Sequence, residues 1–454
     1  MRPGLLLPLV LMLLTARAPA QAAPEQEVDF AALRAAFVEL LAVDVPAARA
    51  KAAAELARAR GVDVATWERA LAALPRPPLP LDEPLPEGVS KRTLRLWAGP
   101  HGMVDVEVHC FMPKGERPQQ GHGLLLACHG TGGMGSGELG IWHRFATRVP
   151  LIVLAPTEPG ENSGYRFSED ERQVHLSVLR WALLHLPVDR DRVMVCGTSR
   201  GGHASWDLAL RHPDPWAAIL PCIGSPRLSL VGGQNNLRLL DNVVHLTIRD
   251  LQGLGDDPAM IWNIRLAFKE LERLGARAAK LYEFEGYGHS YTFDGTDVAE
   301  VLADARRDPH PTMLHLAASR EAEARRAWVR ITAFDKVVED AFRLKVHKKE
   351  WEAKDEEQKK LYVHEQALAK TARVQAQAVR EDEVLRIKLE TEAVRRVALE
   401  LPRWLWTDPP PGRLLVDWKG RVRRLAPKPD VALYLTRMAE HLDPDRAPVA
   451  VVGL

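Results

Sequence analysis

Four cysteines in 454 residues are too few to staple a chain of this size. Cys110, Cys128, Cys196 and Cys222 each sit inside or at the end of an apolar, strand-like run, where a free thiol behaves as a small hydrophobe. None has the spacing of a metal ligand, so no structural zinc site is expected. Charge of one sign is lacking as well: 61 Lys and Arg face 60 Asp and Glu, a formal net charge of +1. No global field therefore draws the chain toward nucleic acid or an anionic membrane, and the partner has to be read from a site. Apolar runs of membrane-spanning length are also missing. The run from Leu5 to Leu14 is about half of the ~20 residues a spanning helix needs. Preceded by Arg2 and followed by small residues, with Ala20 or Ala22 ending suitable cleavage sites, residues 1–22 read as a secretory leader. The expected protein is exported to the periplasm or the exterior and keeps no integral membrane segment.

After the leader, Phe30, Leu33, Phe37, Leu40 and Leu41 recur at helical spacing, and Trp67, Leu71 and Leu74 repeat the pattern. Pro46 stands where it can start a helix and Gly61 where it can end one, so residues 28–74 form an expected helical element. Residues 75–88, PRPPLPLDEPLPEG, are a proline-rich extended linker. From Val89 the pattern turns to alternation, and TLRLW and VDVEVHCF around AGPHG read as an antiparallel hairpin. The runs GLLLAC, LIVLA, VMVCG, AAILPC, VVHLTI and KLYEF then follow, apolar on both faces as in parallel strands covered by helices. Helical stretches at 169–186 and 261–274 separate several of them, so residues 89–310 are expected to form an α/β domain with a leading antiparallel edge.

Residues 311–454 differ in kind. The segment 345–383 is dense in both signs of charge and reads as a solvated helix or helical hairpin. Around it, AWVRITAF, LRIKLET, VRRVALEL and LLVDWKGRVRRL, with a turn at Lys419-Gly420, suggest a small β domain. No internal repeat is evident. Pairing of the charged helix between chains would give a homo-oligomer.

The chemistry is carried by VMVCGTSRGGHASW, residues 193–206. GxSxG alone is weak, since on the order of one chain in ten of this length would contain it by chance. Here it follows a buried strand and precedes a helical pattern, and strand, tight turn, helix is the geometry that exposes a nucleophilic hydroxyl. Gly197 and Gly201 would keep so sharp a turn free of collisions. A serine needs a base, and the base needs an orienting group. His289 in FEGYGHSYTF follows the strand KLYEF and is flanked by Gly286 and Gly288. The acid should follow the preceding strand, where VVHLTIRDLQGLGDDP offers Asp250, Asp256 and Asp257. Asp256, three residues past Gly253, is the expected acid and Asp257 the reserve. LLLACHGTGGMGSG gives a glycine-rich loop for an oxyanion, through the amide of Thr131 or Gly132 joined by that of Arg200. No lysine follows these glycines in the P-loop manner, and GxGxxG spacing is absent. Trp142, Tyr165 and Trp206 lie near the motif loops in sequence and are expected to line an apolar substrate pocket.

HGTGG, GTSRGG, GLGDDP and GYGHS, in that order, resemble the α/β-hydrolase superfamily. The likeness is to its exported esterase and peptidase branches, the polyhydroxybutyrate-depolymerase-like and prolyl-oligopeptidase-like catalytic domains. It covers roughly residues 89–294 and implies a mostly parallel sheet with helices on both faces. It also implies Ser199 as nucleophile, His289 as base and then acid, Asp256 as orienter, and no metal or organic cofactor. Propeller-like repeats that gate long-chain prolyl oligopeptidases are not present. The resulting expectation is an exported serine hydrolase acting on an ester, small or polymeric, with a peptide amide as the alternative. The rival from another class is a hydrolase fold kept as a non-catalytic binding module for a polysaccharide, polymer or protein.

Overall fold

The computed structural model describes residues 28–159, 163–229, 233–342, 344, 346–406 and 412–454, so the expected leader lies outside the described residues. The expected hairpin is present as β1 (Gly88–Trp97) and β2 (Met103–Met112), which pair antiparallel from Gly88–Met112 to Trp97–Met103. Then come β3 (His122–Cys128), β4 (Leu151–Thr157), β5 (Val188–Thr198) and β6 (Ala218–Cys222). The short β7 (Gly233–Gln234) stands apart, and β8 (Thr247–Gly253) and β9 (Ala279–Phe284) complete the sheet. Its order is β1-β2-β4-β3-β5-β6-β8-β9, antiparallel at β1, β2 and β4 and parallel from β4 onward.

The continuous apolar runs are explained by coverage on both faces. Along β3 and β5, Leu124, Leu126, Val193 and Val195 enter one core, while Leu125, Ala127, Met194 and Cys196 enter the other. The first core is closed by α5 (Glu169–His185), α6 (Arg200–Arg211) and α7 (Pro258–Arg273), the second by α4 (Gly135–Ala146) and α8 (Val298–Asp304). All four cysteines are free and buried, as their place in apolar runs implied. The run VVHLTI begins its strand late: residues 236–243 form a buried 3-10 segment, and β8 starts only at Thr247.

Ahead of the sheet, α1 (Phe30–Leu41), α2 (Pro46–Arg60) and α3 (Val64–Ala72) match the expected helical element. Pro46 opens α2 and Gly61 closes it at φ 62°. The partner of this element is the far end of the chain. Phe37, Leu41 and Trp67 share one core with Tyr434, Leu435 and Met438 of a helix spanning Val431–His441. Arg403 adds an ion pair to Glu68.

The small β domain consists of two sheets around one core. One sheet has five strands, Met313–Ala318, Ala372–Glu381, Val384–Glu392, Arg413–Trp418 and Arg421–Leu425; the other has four, including Val329–Phe334, Val394–Pro402 and Pro448–Gly453. Leu316, Val374, Ile387 and Val416 of the first meet Ile331, Val397 and Leu399 of the second. Lys419 and Gly420 make the expected turn, both at positive φ. The charged stretch corrects the expectation of a solvated helix or helical hairpin throughout 345–383. Its helices are short, Lys348–Glu352 and Glu356–Ala369, and Ala372–Glu381 is a strand. Ala372, Val374, Ala376 and Ala378 are buried at every second position, and their small size and helix propensity concealed the period of two. The longer helix turns Val363 and Ala367 into the chain's own interior. Among the described residues no helix is long and apolar enough to cross a membrane.

Candidate active site

Ser199 sits between the last residue of β5 and the first of α6, with φ 57° and ψ −113°. An L-residue there costs on the order of 1–3 kcal/mol, which the packing around the turn must offset. The glycines are required by space. A Cβ on Gly201 would lie 1.8 Å from the Cys128 carbonyl oxygen, and one on Gly197 2.5 Å from the same atom. The serine begins α6 yet makes no side-chain capping bond, so it is not a turn-capping serine. Its Oγ lies 2.7 Å from His289 Nε2, and His289 Nδ1 lies 2.8 Å from Asp256 Oδ2.

Two loops at the carboxyl end of the sheet bring these groups together. The Gly255 amide donates to the Tyr287 carbonyl at 2.7 Å, joining the loop after β8 to the loop after β9. A Cβ on Gly253 would lie 2.1 Å from the Gly288 oxygen, so the two loops touch through backbone. Asp256 is nearly buried and also accepts from Gln252 Nε2 at 3.0 Å and, on its other oxygen, from the Asp257 amide at 2.8 Å. The reserve acid, Asp257, caps α7 by accepting from the Ala259 amide. Asp250 is fully buried on β8 and takes the Trp206 indole N–H at 2.8 Å, and burial pushes its carboxyl well above the usual range. The His289 side chain is 53% exposed, so the base opens directly to bulk solvent.

The glycine-rich loop passes beside the serine. A Cβ on Gly130 would sit 3.2 Å from the Thr198 oxygen and 3.6 Å from Ser199 Cβ. The Gly133 amide donates to the Gly130 carbonyl, closing a turn over Thr131 and Gly132 with Gly132 at φ 70°. The amide of Arg200 lies in the first turn of α6, where backbone N–H groups have no intrahelical partner and favour negative charge. His129, just before the loop, donates from Nδ1 to the Gly130 carbonyl and accepts at Nε2 from the Glu158 amide. That pairing fits a neutral ring, and burial lowers its pKa accordingly.

Close to the serine turn lie buried polar groups with no ordered signal in the sequence. The Arg200 guanidinium reaches Glu158 at 2.5 Å, Glu171 at 3.0 Å and the Gly164 carbonyl at 3.1 Å. On the other side, Glu138 accepts from the Trp142 indole at 2.8 Å and from the Thr198 hydroxyl at 3.1 Å. Tyr291 in turn donates to Thr198 at 3.0 Å. Burial raises the Glu138 carboxyl to about 7, against the pull of its two hydrogen bonds. Only the four-residue spacing of Glu138 and Trp142 hinted at this pair.

The aromatic expectation needs correction. Trp142 and Trp206 are wholly buried, with their N–H groups spent on Glu138 and Asp250. Tyr165 is buried too: it packs beneath the Arg200 guanidinium and donates to Asp207 at 3.1 Å. All three have core roles, because a large ring beside a motif has the sheet's interior within reach. The exposed apolar side chains on the motif loops are instead Met134, after the glycine turn, and Tyr287, two residues before His289.

The sheet order, the serine turn and the placement of the two loops give this part of the chain an α/β-hydrolase fold. No protein-family model matches the chain, and no curated protein matches it. Solved structures of similar shape include a thermostable esterase, with TM-score 0.39 and 22% identity over 48% of this chain and 63% of that one. A BES protein from Bacillus cereus matches with TM-score 0.40 and 12% identity over 50% of this chain and all of that one. An acetyl xylan esterase from Aspergillus awamori matches with TM-score 0.37 and 13% identity over 47% and 98%.

Proposed function

We propose that this chain is a serine hydrolase that cleaves a carboxylic ester through an acyl-enzyme. The observation that carries the reading is the unbroken hydrogen-bonded series from Ser199 through His289 to Asp256 at the carboxyl edge of the sheet. In this reading the Ser199 oxygen adds to the ester carbonyl while His289 Nε2 takes its proton. Asp256 keeps Nδ1 protonated, points the ring at the serine and offsets the charge the imidazole gains. The amides of Arg200 and of Thr131 or Gly132 stabilise the oxyanion, a contribution of about 3 kcal/mol for each good donor. As the tetrahedral adduct collapses, His289 returns the proton to the departing alcohol. Water, deprotonated by the same ring, then releases the acid and restores the serine.

Export remains part of the proposal, with the leader cleaved near Ala20–Ala22; the amino terminus of the mature protein tests it. An ester is favoured over an amide because nothing in the sequence supplies a clamp for a peptide amine. Turnover of short p-nitrophenyl esters should vanish in Ser199→Ala, and a fluorophosphonate should label wild type at Ser199 but not the variant. Unchanged turnover in Ser199→Ala removes the proposal, and faster cleavage of aminoacyl amides than of esters overturns the choice of substrate.

A further inference from the structure

Far from the serine, a cavity of about 320 Å³ opens among the start of α2, one side of α5, the amino-terminal half of β5, the end of α6 and the segments 322–325 and 437–446. It lies at the opposite end of α6 from Ser199, roughly 18 Å along a twelve-residue helix. One wall is apolar, built by Leu176, Leu179, Leu183, Val193, Pro213 and Pro215. The remainder carries eight arginines against four carboxylates.

Each carboxylate is already committed. Glu323 binds Arg211 at 2.5 Å, Glu440 binds Arg437 at 2.7 Å, Asp214 binds Arg446 at 2.9 Å, and Asp443 binds Arg307. Arg325 leans on Asp214 at 3.6 Å and on His441. Three guanidiniums from three separate elements are held more loosely. Arg49 of α2 donates only to the backbone carbonyls of Val43 and Asp44. Arg180 of α5 donates to the Leu41 carbonyl and pairs at 3.8 Å with the half-exposed Asp44 carboxylate. Arg190 of β5 has no hydrogen bond or ion pair among the described residues; the carboxylates that act on it, Asp443 and Asp191, both bind Arg307, and the charges of Arg76 and Arg307 oppose them. The Nε atoms of all three are buried without a partner.

Guanidinium groups stay charged when buried, so the excess of arginines over carboxylates in this cavity is costly unless something anionic joins them. Burial pushes Arg180 and Arg190 down to about 10, and the charge of Arg49 adds to the effect on Arg180. We propose that this cavity binds an amphipathic organic anion, with a carboxylate held by Arg49, Arg180 and Arg190 and a short aliphatic body laid on the leucine wall. Arginine forks recognise a carboxylate bidentately, and the apolar side chains of the cavity select against a bare inorganic anion. Such a ligand bridges the N-terminal helices to the sheet, so its binding stabilises the folded chain by mass action. The assignment does not depend on the hydrolase reading.

Titration of the purified full chain with octanoate, followed by calorimetry and by thermal melting, tests it. Octanoate is expected to bind one to one and raise Tm. 1-Octanol and octylammonium, which share the body but lack the negative charge, and acetate, which lacks the body, are expected to bind at least about tenfold more weakly. Arg190→Met and Arg180→Met, each checked for native circular dichroism, should weaken octanoate by about tenfold or more. Ser199→Ala should bind it as wild type does. Octanol or octylammonium binding as tightly as octanoate to the wild-type chain overturns the proposal, whatever the fate of the variants. So does unchanged affinity in both folded arginine variants. Loss of octanoate binding in Ser199→Ala would place the acid in the active site and overturn it equally.

Discussion

The hydroxyl of Thr198 donates to the carboxyl of Glu138 at 3.1 Å, which ties the residue immediately before the serine to a buried acid on α4. Burial raises that acid to about 7, whereas an unfolded glutamate titrates at its ordinary value near 4.5. As pH rises between those values the unfolded chain loses this proton first, so Glu138 lowers stability across the window and the loss levels off above pH 7. The span corresponds to about 3 kcal/mol as an order of magnitude. Glu138→Gln keeps an acceptor oxygen for Thr198 and Trp142 but cannot ionise. Its Tm is expected to exceed that of wild type above pH 7, with the gap closing toward pH 4.5. Parallel Tm profiles for the two proteins across pH 5–8 would count against this assignment.

Asp256 and its neighbour Asp257 separate by function. Asp256→Asn leaves the shape but removes the acceptor that fixes the His289 tautomer, so kcat for an ester is expected to drop by about four orders of magnitude. Asp257→Ala removes a helix cap, costing about 1 kcal/mol of stability with kcat essentially retained. Steady-state kinetics and melting on both variants check the pair, and reversed effects would exchange their roles.

Gly201→Ala places a methyl where the Cys128 carbonyl already stands, and both atoms belong to packed backbone. Loss on the order of 3 kcal/mol or more is expected, together with turnover, because the serine turn must shift. Gly137, in α4, has nothing within 4 Å of its absent Cβ. Gly137→Ala should gain about 0.5 kcal/mol and leave turnover alone, which makes it the control for the same substitution in the same melting assay.

Met134 and Tyr287 stand exposed on the two loops that flank the serine and its base. Each is expected to hold the apolar part of an ester by uniform binding. Met134→Ala and Tyr287→Ala should then raise KM for a hexanoyl ester several-fold with kcat unchanged, and have little effect on acetyl esters. Equal effects on both esters would mean that the side chains shape the loops rather than touch the acyl chain.

The sequence carried the sheet because buried parallel strands leave unmistakable apolar runs, and it carried the serine turn because glycine marks backbone contact on both sides. It also placed Ser199, His289 and Asp256 where the structure finds them hydrogen-bonded. It misled where side-chain size masks periodicity, as in the alanine-rich strand at 372–381, which resembles a helix until its neighbour is known. It misled again at Trp142, Tyr165 and Trp206, since nearness along the chain does not say which side of a strand or helix a ring enters. The pairing of Glu138 with Thr198 and of Arg200 with Glu158 and Glu171 joins separate elements. Nothing local announces such contacts, because each charged partner taken alone reads as a surface residue and Thr198 as the polar end of a strand.

The shared core of α1, α3 and the helix at Val431–His441 has a consequence for biogenesis. Ribosomes release the amino-terminal helices first, yet the core they share is complete only when residues 431–441 have emerged. Throughout elongation Phe37, Leu41 and Trp67 must stay solvated, dock elsewhere for a time or be shielded by a chaperone. The sheet closes on two cores of its own, which leaves α1, α3 and the helix at 431–441 to join as a separate step.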